Sequence, residues 1–118
     1  MDKKKVLVID DEEDFGAMIK LYLERTGNYE VRIETEGVRG FAVTKEFCPD
    51  VILLDIILPD LPGEEIVSQI KADNDIKDTP IIFVTAVLKG TDAEKDYPVL
   101  FKPIRINDLI DCIEKNTK

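Results

Sequence analysis

Histidine is absent from all 118 residues. That absence excludes Ser-His and Cys-His nucleophile systems, and it excludes a histidine phosphocarrier role for this chain. Cysteine is scarce. Cys48 and Cys112 match no metal spacing and read as packing residues in a reducing compartment. No apolar run approaches the roughly 18 residues that a membrane span needs, and Met1-Asp2-Lys3-Lys4-Lys5 leads into a short strand-like run, not the long apolar core of a secretory signal. A cytoplasmic protein is expected. Basic residues are outnumbered 16 to 25, for a net charge of -9, which argues against direct nucleic-acid binding, since that affinity rests on neutralising phosphates.

What is present is a soluble composition, 44% hydrophobic and 35% charged, in a chain long enough for one hydrophobic core and too short for a second. The expectation is a single domain over 1–118 with no output domain. Four short aliphatic runs stand out: Val6-Leu7-Val8-Ile9, Val51-Ile52-Leu53-Leu54, Ile81-Ile82-Phe83-Val84 and Val99-Leu100-Phe101. Such runs, rich in branched residues, read as buried parallel strands. Each is followed at once by a polar residue: Asp10 with Asp11, Asp55, Thr85 and Lys102. In an open α/β sheet the carboxyl edge of the strands is where ligands bind.

Segments with helical spacing alternate with the runs. Phe15, Met18, Ile19 and Tyr22 follow the i, i+3, i+4, i+7 pattern, stopped by Gly27-Asn28. Val31-Arg32-Ile33 is a weaker second strand, and Glu30, Glu34 and Glu36 suit it to a sheet edge. Val38, Phe41 and Ala42 mark a second helix ending before Pro49. Ile66, Val67 and Ile70 mark a third, and Ile106, Leu109, Ile110 and Ile113 the last. Between Thr85 and Val99 no apolar stripe of two turns is present, so the helix of that crossover is expected to be reduced or absent. The pattern implies a three-layer α/β fold, a five-stranded parallel sheet with right-handed crossovers.

Three carboxylates converging at Asp10, Asp11 and Asp55 repel one another unless a cation is bound. Hard oxygen ligands, few in number, suit Mg²⁺, which completes its shell with water and phosphate oxygens. Lys102 offers a point positive charge to an anion, and Thr85 a hydroxyl. A carboxylate beside such a cation and lysine can itself attack phosphorus. Asp55 is the candidate, because a central strand is expected to leave its side chain accessible while Asp10 and Asp11 flank it. Glu12, Glu13 and Asp14 read as a favourable first helical turn, with Glu12 close enough to tune the metal site.

The segments Val6 to Glu12, Pro49 to Gly63, Val84-Thr85-Ala86 and Phe101-Lys102-Pro103 closely resemble the receiver domain of two-component response regulators. The resemblance runs over the whole chain, with 45 positions from Asp10 to Asp55 and 30 from Asp55 to Thr85. It implies a flavodoxin-like (CheY-like) fold with strand order 2-1-3-4-5. It implies that Asp55 accepts a phosphoryl group from a phosphohistidine on a partner histidine kinase or phosphotransfer protein, and that the switched domain then binds a downstream protein target. Asp10, Asp11, Asp55 and the carbonyl of Ile57 would hold Mg²⁺. Thr85, Ala86 and Lys102 would contact the phosphoryl, and a cis peptide would precede Pro103. The domain would catalyse its own phosphorylation and dephosphorylation, with no separate substrate turnover.

One region departs from the family pattern. Thr85 and Lys102 are 17 positions apart, about five fewer than usual and more than one helical turn. The aromatic often found three residues before the lysine is here Val99, while Phe101 could be core or a partner anchor. A receiver-like scaffold, in which phosphorylation is unimportant, is therefore the alternative. A phosphatase of the haloacid dehalogenase type expects a second acid where Ile57 stands, and a flavodoxin expects a Ser/Thr-rich loop where this chain has acids. Gly63, Pro59 and Pro62 read as turn residues shaping the loop after Asp55.

Overall fold

Strand β1 (Lys4–Ile9) lies in the interior of the sheet because both faces of it are apolar: Val6, Leu7, Val8 and Ile9 are all essentially inaccessible to solvent. A computed structural model describes residues 2–86 and 96–117 of the chain. In it β2 (Tyr29–Glu34), β3 (Val51–Leu54), β4 (Ile81–Thr85) and β5 (Val99–Phe101) join β1 in one parallel sheet of order β2-β1-β3-β4-β5. Val6 pairs with Val31 on one side and Val51 on the other, so the first two apolar runs sit shoulder to shoulder. The reduced fourth crossover helix expected from the sequence falls on residues 87–95, outside the described residues.

Alternate residues of each strand feed two cores. Leu7, Ile9, Ile52, Leu54, Ile81 and Phe83 pack against α2 (Gly40–Phe47) and α3 (Gly63–Lys71). Val6, Val8, Val51, Leu53, Ile82 and Val84 pack against α1 (Glu13–Arg25) and the C-terminal helix α4 (Ile106–Asn116). Each fully buried aliphatic side chain contributes about 1.5–3 kcal/mol relative to exposure, so the two cores hold the strand ends in fixed register. Among the described residues, no helix is long and apolar enough to cross a membrane.

Two helices present a different face from the one the sequence suggests. On α1 the buried residues are Gly16, Ile19 and Leu23, whereas Met18 and Tyr22 are exposed. Gly16 is the reason: a Cβ there would sit 3.0 Å from Ile33, so its lack of a side chain lets the helix lie close on β2. On α2 the core residues are Gly40, Val43, Thr44 and Phe47, and Val38 lies in a preceding 3₁₀ turn (Gly37–Arg39) with its side chain in solvent. The helix stops at Cys48, in the left-handed region at φ 51°, immediately before Pro49. The stripes of α3 and α4 are those expected: Ile66, Val67 and Ile70 are buried, as are Leu109 and Ile113.

Candidate functional site

Parallel register brings the carboxyl ends of β1, β3, β4 and β5 to one edge. Asp10 follows β1, Asp55 follows β3, Thr85 ends β4 and Lys102 follows β5. The backbone continues the ladder into the site, with the Asp55 amide donating to the Ile9 carbonyl at 3.0 Å and the Lys102 amide to the Thr85 carbonyl at 2.9 Å. Strand geometry thus positions the four side chains before any contact among them is considered.

Asp10 and Thr85 are each 1% exposed and Asp55 is 6% exposed, while Asp11 points to solvent. The accessible Asp55 expected from a central strand is in fact buried, with Lys102 Nζ 3.4 Å from its Oδ2. One carboxylate oxygen from each of Asp10, Asp11 and Asp55 lies within 4.8 Å of the others. At an effective dielectric near 20 the two buried carboxylates, Asp10 and Asp55, repel by roughly 3–4 kcal/mol, whereas solvent screens the exposed Asp11. Burial pushes the Asp10 and Asp55 carboxyls above their ordinary range, although hydrogen bonds from the Glu12 and Ile57 amides and the nearby Lys102 pull the other way. Those amides donate to Asp10 Oδ1 at 2.9 Å and to Asp55 Oδ1 at 3.1 Å.

Lys102 Nζ lies 2.8 Å from Asp10 Oδ2 and 3.4 Å from Asp55 Oδ2, and it donates to Glu12. Burial opposes its charge, but the contacts with Asp10 and Glu12 outweigh that and hold the ammonium protonated well beyond the ordinary lysine range. The Phe15 ring closes another side, its centroid 4.5 Å from Nζ. The approach to Asp10 Oδ2 satisfies the distance of an ion pair without the angles of a hydrogen bond, which leaves a buried carboxylate oxygen unsaturated. Asp10, Asp11, Asp55 and Glu12 against one ammonium leave an excess of negative charge, which a divalent cation reduces. An unsaturated buried oxygen among three hard carboxylates therefore fits Mg²⁺.

The remaining candidates surround this centre. Ile57 sits two residues after Asp55 with its side chain exposed. Ala86 follows Thr85 and is exposed. Val99 is half-buried opposite Phe83, and Phe101, 38% exposed, is opposite Thr85. The Lys102–Pro103 peptide is cis.

The response regulator receiver domain model matches residues 6–114, nearly the whole chain and the entire site. The chain belongs to that family. The response regulator ArlR of Staphylococcus saprophyticus is 37% identical over 111 residues, covering 90% of this chain and 49% of ArlR. The polar-differentiation response regulator DivK of Brucella anthropi is 29% identical over 116 residues, covering 94% of both. Among solved structures, the chemotaxis protein CheY4 of Vibrio cholerae superposes with a TM-score of 0.86 at 25% identity, over 98% of this chain and 99% of that one. The chain spans about half the length of first-ranking curated relatives such as ArlR. This receiver domain is thus a module of two-component signalling with the CheY-like fold.

Two features of this receiver domain were not readable as site features. Gly63, a turn residue by its sequence, opens α3 and is buried, and a Cβ there would meet the Asp55 carbonyl oxygen at 2.6 Å and Ile56 Cα at 3.0 Å. Its amide donates to the Ile56 carbonyl at 2.9 Å, pinning the loop that carries Asp55. Asp60 accepts from the amides of Gly37 at 3.1 Å and Val38 at 3.0 Å, tying the same loop to the turn before α2. A glycine following a proline and an acid in a loop are ordinary turn signals, so only the fold distinguishes these two.

Proposed function

We propose that this receiver domain is a phosphoacceptor that takes a phosphoryl group onto Asp55 from a phosphohistidine on a partner kinase or phosphotransfer protein. One observation carries the reading: the Asp10, Asp11 and Asp55 carboxylates lie within 4.8 Å of one another beside Lys102. An Asp55 carboxylate oxygen attacks phosphorus while the P–N bond to the donor imidazole breaks and its electron pair returns to the ring nitrogen. Asp10, Asp11, Asp55 and the Ile57 carbonyl would hold Mg²⁺, which when bound supplies positive charge to the phosphoryl oxygens. Lys102 offers N–H donors to the same oxygens, and the Thr85 hydroxyl and the small Ala86 stand beside them. The Ile57 amide on Asp55 Oδ1 orients the carboxylate with Oδ2 toward Lys102.

Output would pass to a downstream protein target through the β5 face, with Val99 and Phe101 as its apolar elements. The net charge of -9 disfavours this domain itself as a nucleic-acid contact, and a cytoplasmic location suits the donor. A scaffold role is the second reading, supported by the short interval from Thr85 to Lys102 and by Val99 in place of an aromatic. Incubation with Mg²⁺ and a small acyl phosphate, read by intact mass, separates the two: the parent gains one phosphoryl group and Asp55→Ala gains none. An unlabelled parent favours the scaffold.

A further inference from the structure

Lys102 has three N–H donors, and three carboxylates surround it: Asp10, Asp55 and Glu12. Its side chain is only 11% exposed, and the Phe15 ring occupies a further side. The three carboxylates and the ring enclose the ammonium, so an incoming phosphoryl oxygen reaches it only where one of the carboxylates gives way. Asp10, with its side chain 1% exposed, is anchored in the buried site by the Glu12 amide on its Oδ1. Asp55 is itself the acceptor. Glu12 differs from both, since its side chain is 58% exposed and water replaces the lysine at little cost.

We infer that Glu12 is the exchangeable partner of Lys102, a positioning residue that holds the ammonium across the acid cluster until a phosphoryl oxygen takes its place. Glu12 then sets how readily the site accepts its phosphoryl group, because every acceptance event begins by breaking this pair. The inference rests on the phosphoacceptor reading of Asp55. It deepens that reading by naming a competitor within the chain for the phosphoryl-binding cation. Glu12 reaches Lys102 because the Asp10 side chain accepts the Glu12 amide and so fixes the chain at the start of α1.

The test uses beryllium fluoride with saturating Mg²⁺ as a non-transferable phosphoryl mimic, its half-saturation followed by thermal shift. Glu12→Gln is compared with Glu13→Gln, which removes the same charge one position further along on an exposed residue. The expected result is that Glu12→Gln lowers the half-saturating concentration about two- to fivefold relative to Glu13→Gln, the range that an exposed ion pair commands. In a Lys102→Met background the difference between the two variants should vanish, because the effect runs through the ammonium. Equal behaviour of the two variants would overturn the inference while leaving the phosphoacceptor reading intact. A Glu12→Gln variant with weakened Mg²⁺ binding and unimproved mimic affinity would also overturn it, making Glu12 part of the cation site. A parent protein that takes neither mimic nor acyl-phosphate label would overturn the phosphoacceptor reading and this inference together.

Discussion

Thr85 and Phe101 are register partners across β4 and β5, yet the threonine is 1% exposed and the aromatic 38%. Two residues earlier the same strands pair Phe83, 1% exposed, with Val99. This sheet face therefore runs from sealed core on β4 to partly open surface on β5 within a single strand spacing, and it does so beside the candidate phosphoryl site. A change at Thr85 has a direct neighbour through which to reach the surface.

That gradient makes the two phenylalanines unequal. Phe83→Ala removes a ring that packs edge-on against Tyr97 at 5.6 Å within a closed core, and should cost about 3–5 kcal/mol. Phe101→Ala should cost under about 1 kcal/mol, since much of the ring already faces water. Denaturant midpoints of the two variants check this. Comparable losses would mean that Phe101 is a core residue and not available as an anchor for a partner.

Gly63→Ala should destabilise the fold by about 1–3 kcal/mol, because its Cβ would press on the Asp55 carbonyl and the loop must move. The displacement bears on the segment that presents Asp55 and Ile57, so the variant should also label more slowly with an acyl phosphate. Denaturation curves alongside time courses of intact mass test both halves. A variant as stable as the parent would show that the close approach relaxes without consequence.

In cation-free buffer the buried site works against the fold. Burial, and with it the repulsion of Asp11, raises the Asp55 carboxyl. The native state then binds its proton more tightly than the unfolded chain, so stability falls as pH rises from the ordinary carboxyl value of about 4 through the raised one. Asp55→Asn removes this contribution. Thermal melts in chelator should show Asp55→Asn to be more stable than the parent at neutral pH, with the gap closing below about pH 4. An Asn variant less stable at pH 7 would mean that the Lys102 ion pair outweighs the desolvation.

Asp11→Ala addresses the cation directly. Asp11 is exposed, so its removal should leave metal-free stability unchanged or raised by under about 1 kcal/mol, through relief of repulsion. The stabilisation that added Mg²⁺ gives the parent should shrink markedly in the variant. Melting temperatures across a Mg²⁺ titration decide it. A variant stabilised by Mg²⁺ as strongly as the parent would remove Asp11 from the cation site.

Much of this arrangement was legible because it depends on composition along a strand. Val51 to Leu54 is buried on both faces, as a continuous aliphatic run requires, and the polar residue after each run lands at the sheet's carboxyl edge. The α3 stripe was legible for the same reason. What escaped depends on residues defined by what they lack or by where the chain folds back. Gly16 shifts the buried face of α1 onto Leu23, and no count of apolar residues includes a glycine. Gly63 and Asp60 act on the Asp55 loop through neighbours brought close only by the fold. The burial of Asp55 escaped because it depends on neighbours that only the fold brings close, such as Lys102, 47 positions away.

Everything proposed for this domain depends on where a phosphoryl group goes and what it needs. The most direct measurement is to label the protein with an acyl phosphate in Mg²⁺ or in excess chelator, trap the acyl phosphate by hydride reduction, and locate the reduced residue by peptide mass spectrometry. The expected result is one modified residue, Asp55, in Mg²⁺ and none in chelator. Label at any other residue, or equal label at Asp55 in chelator, would contradict it.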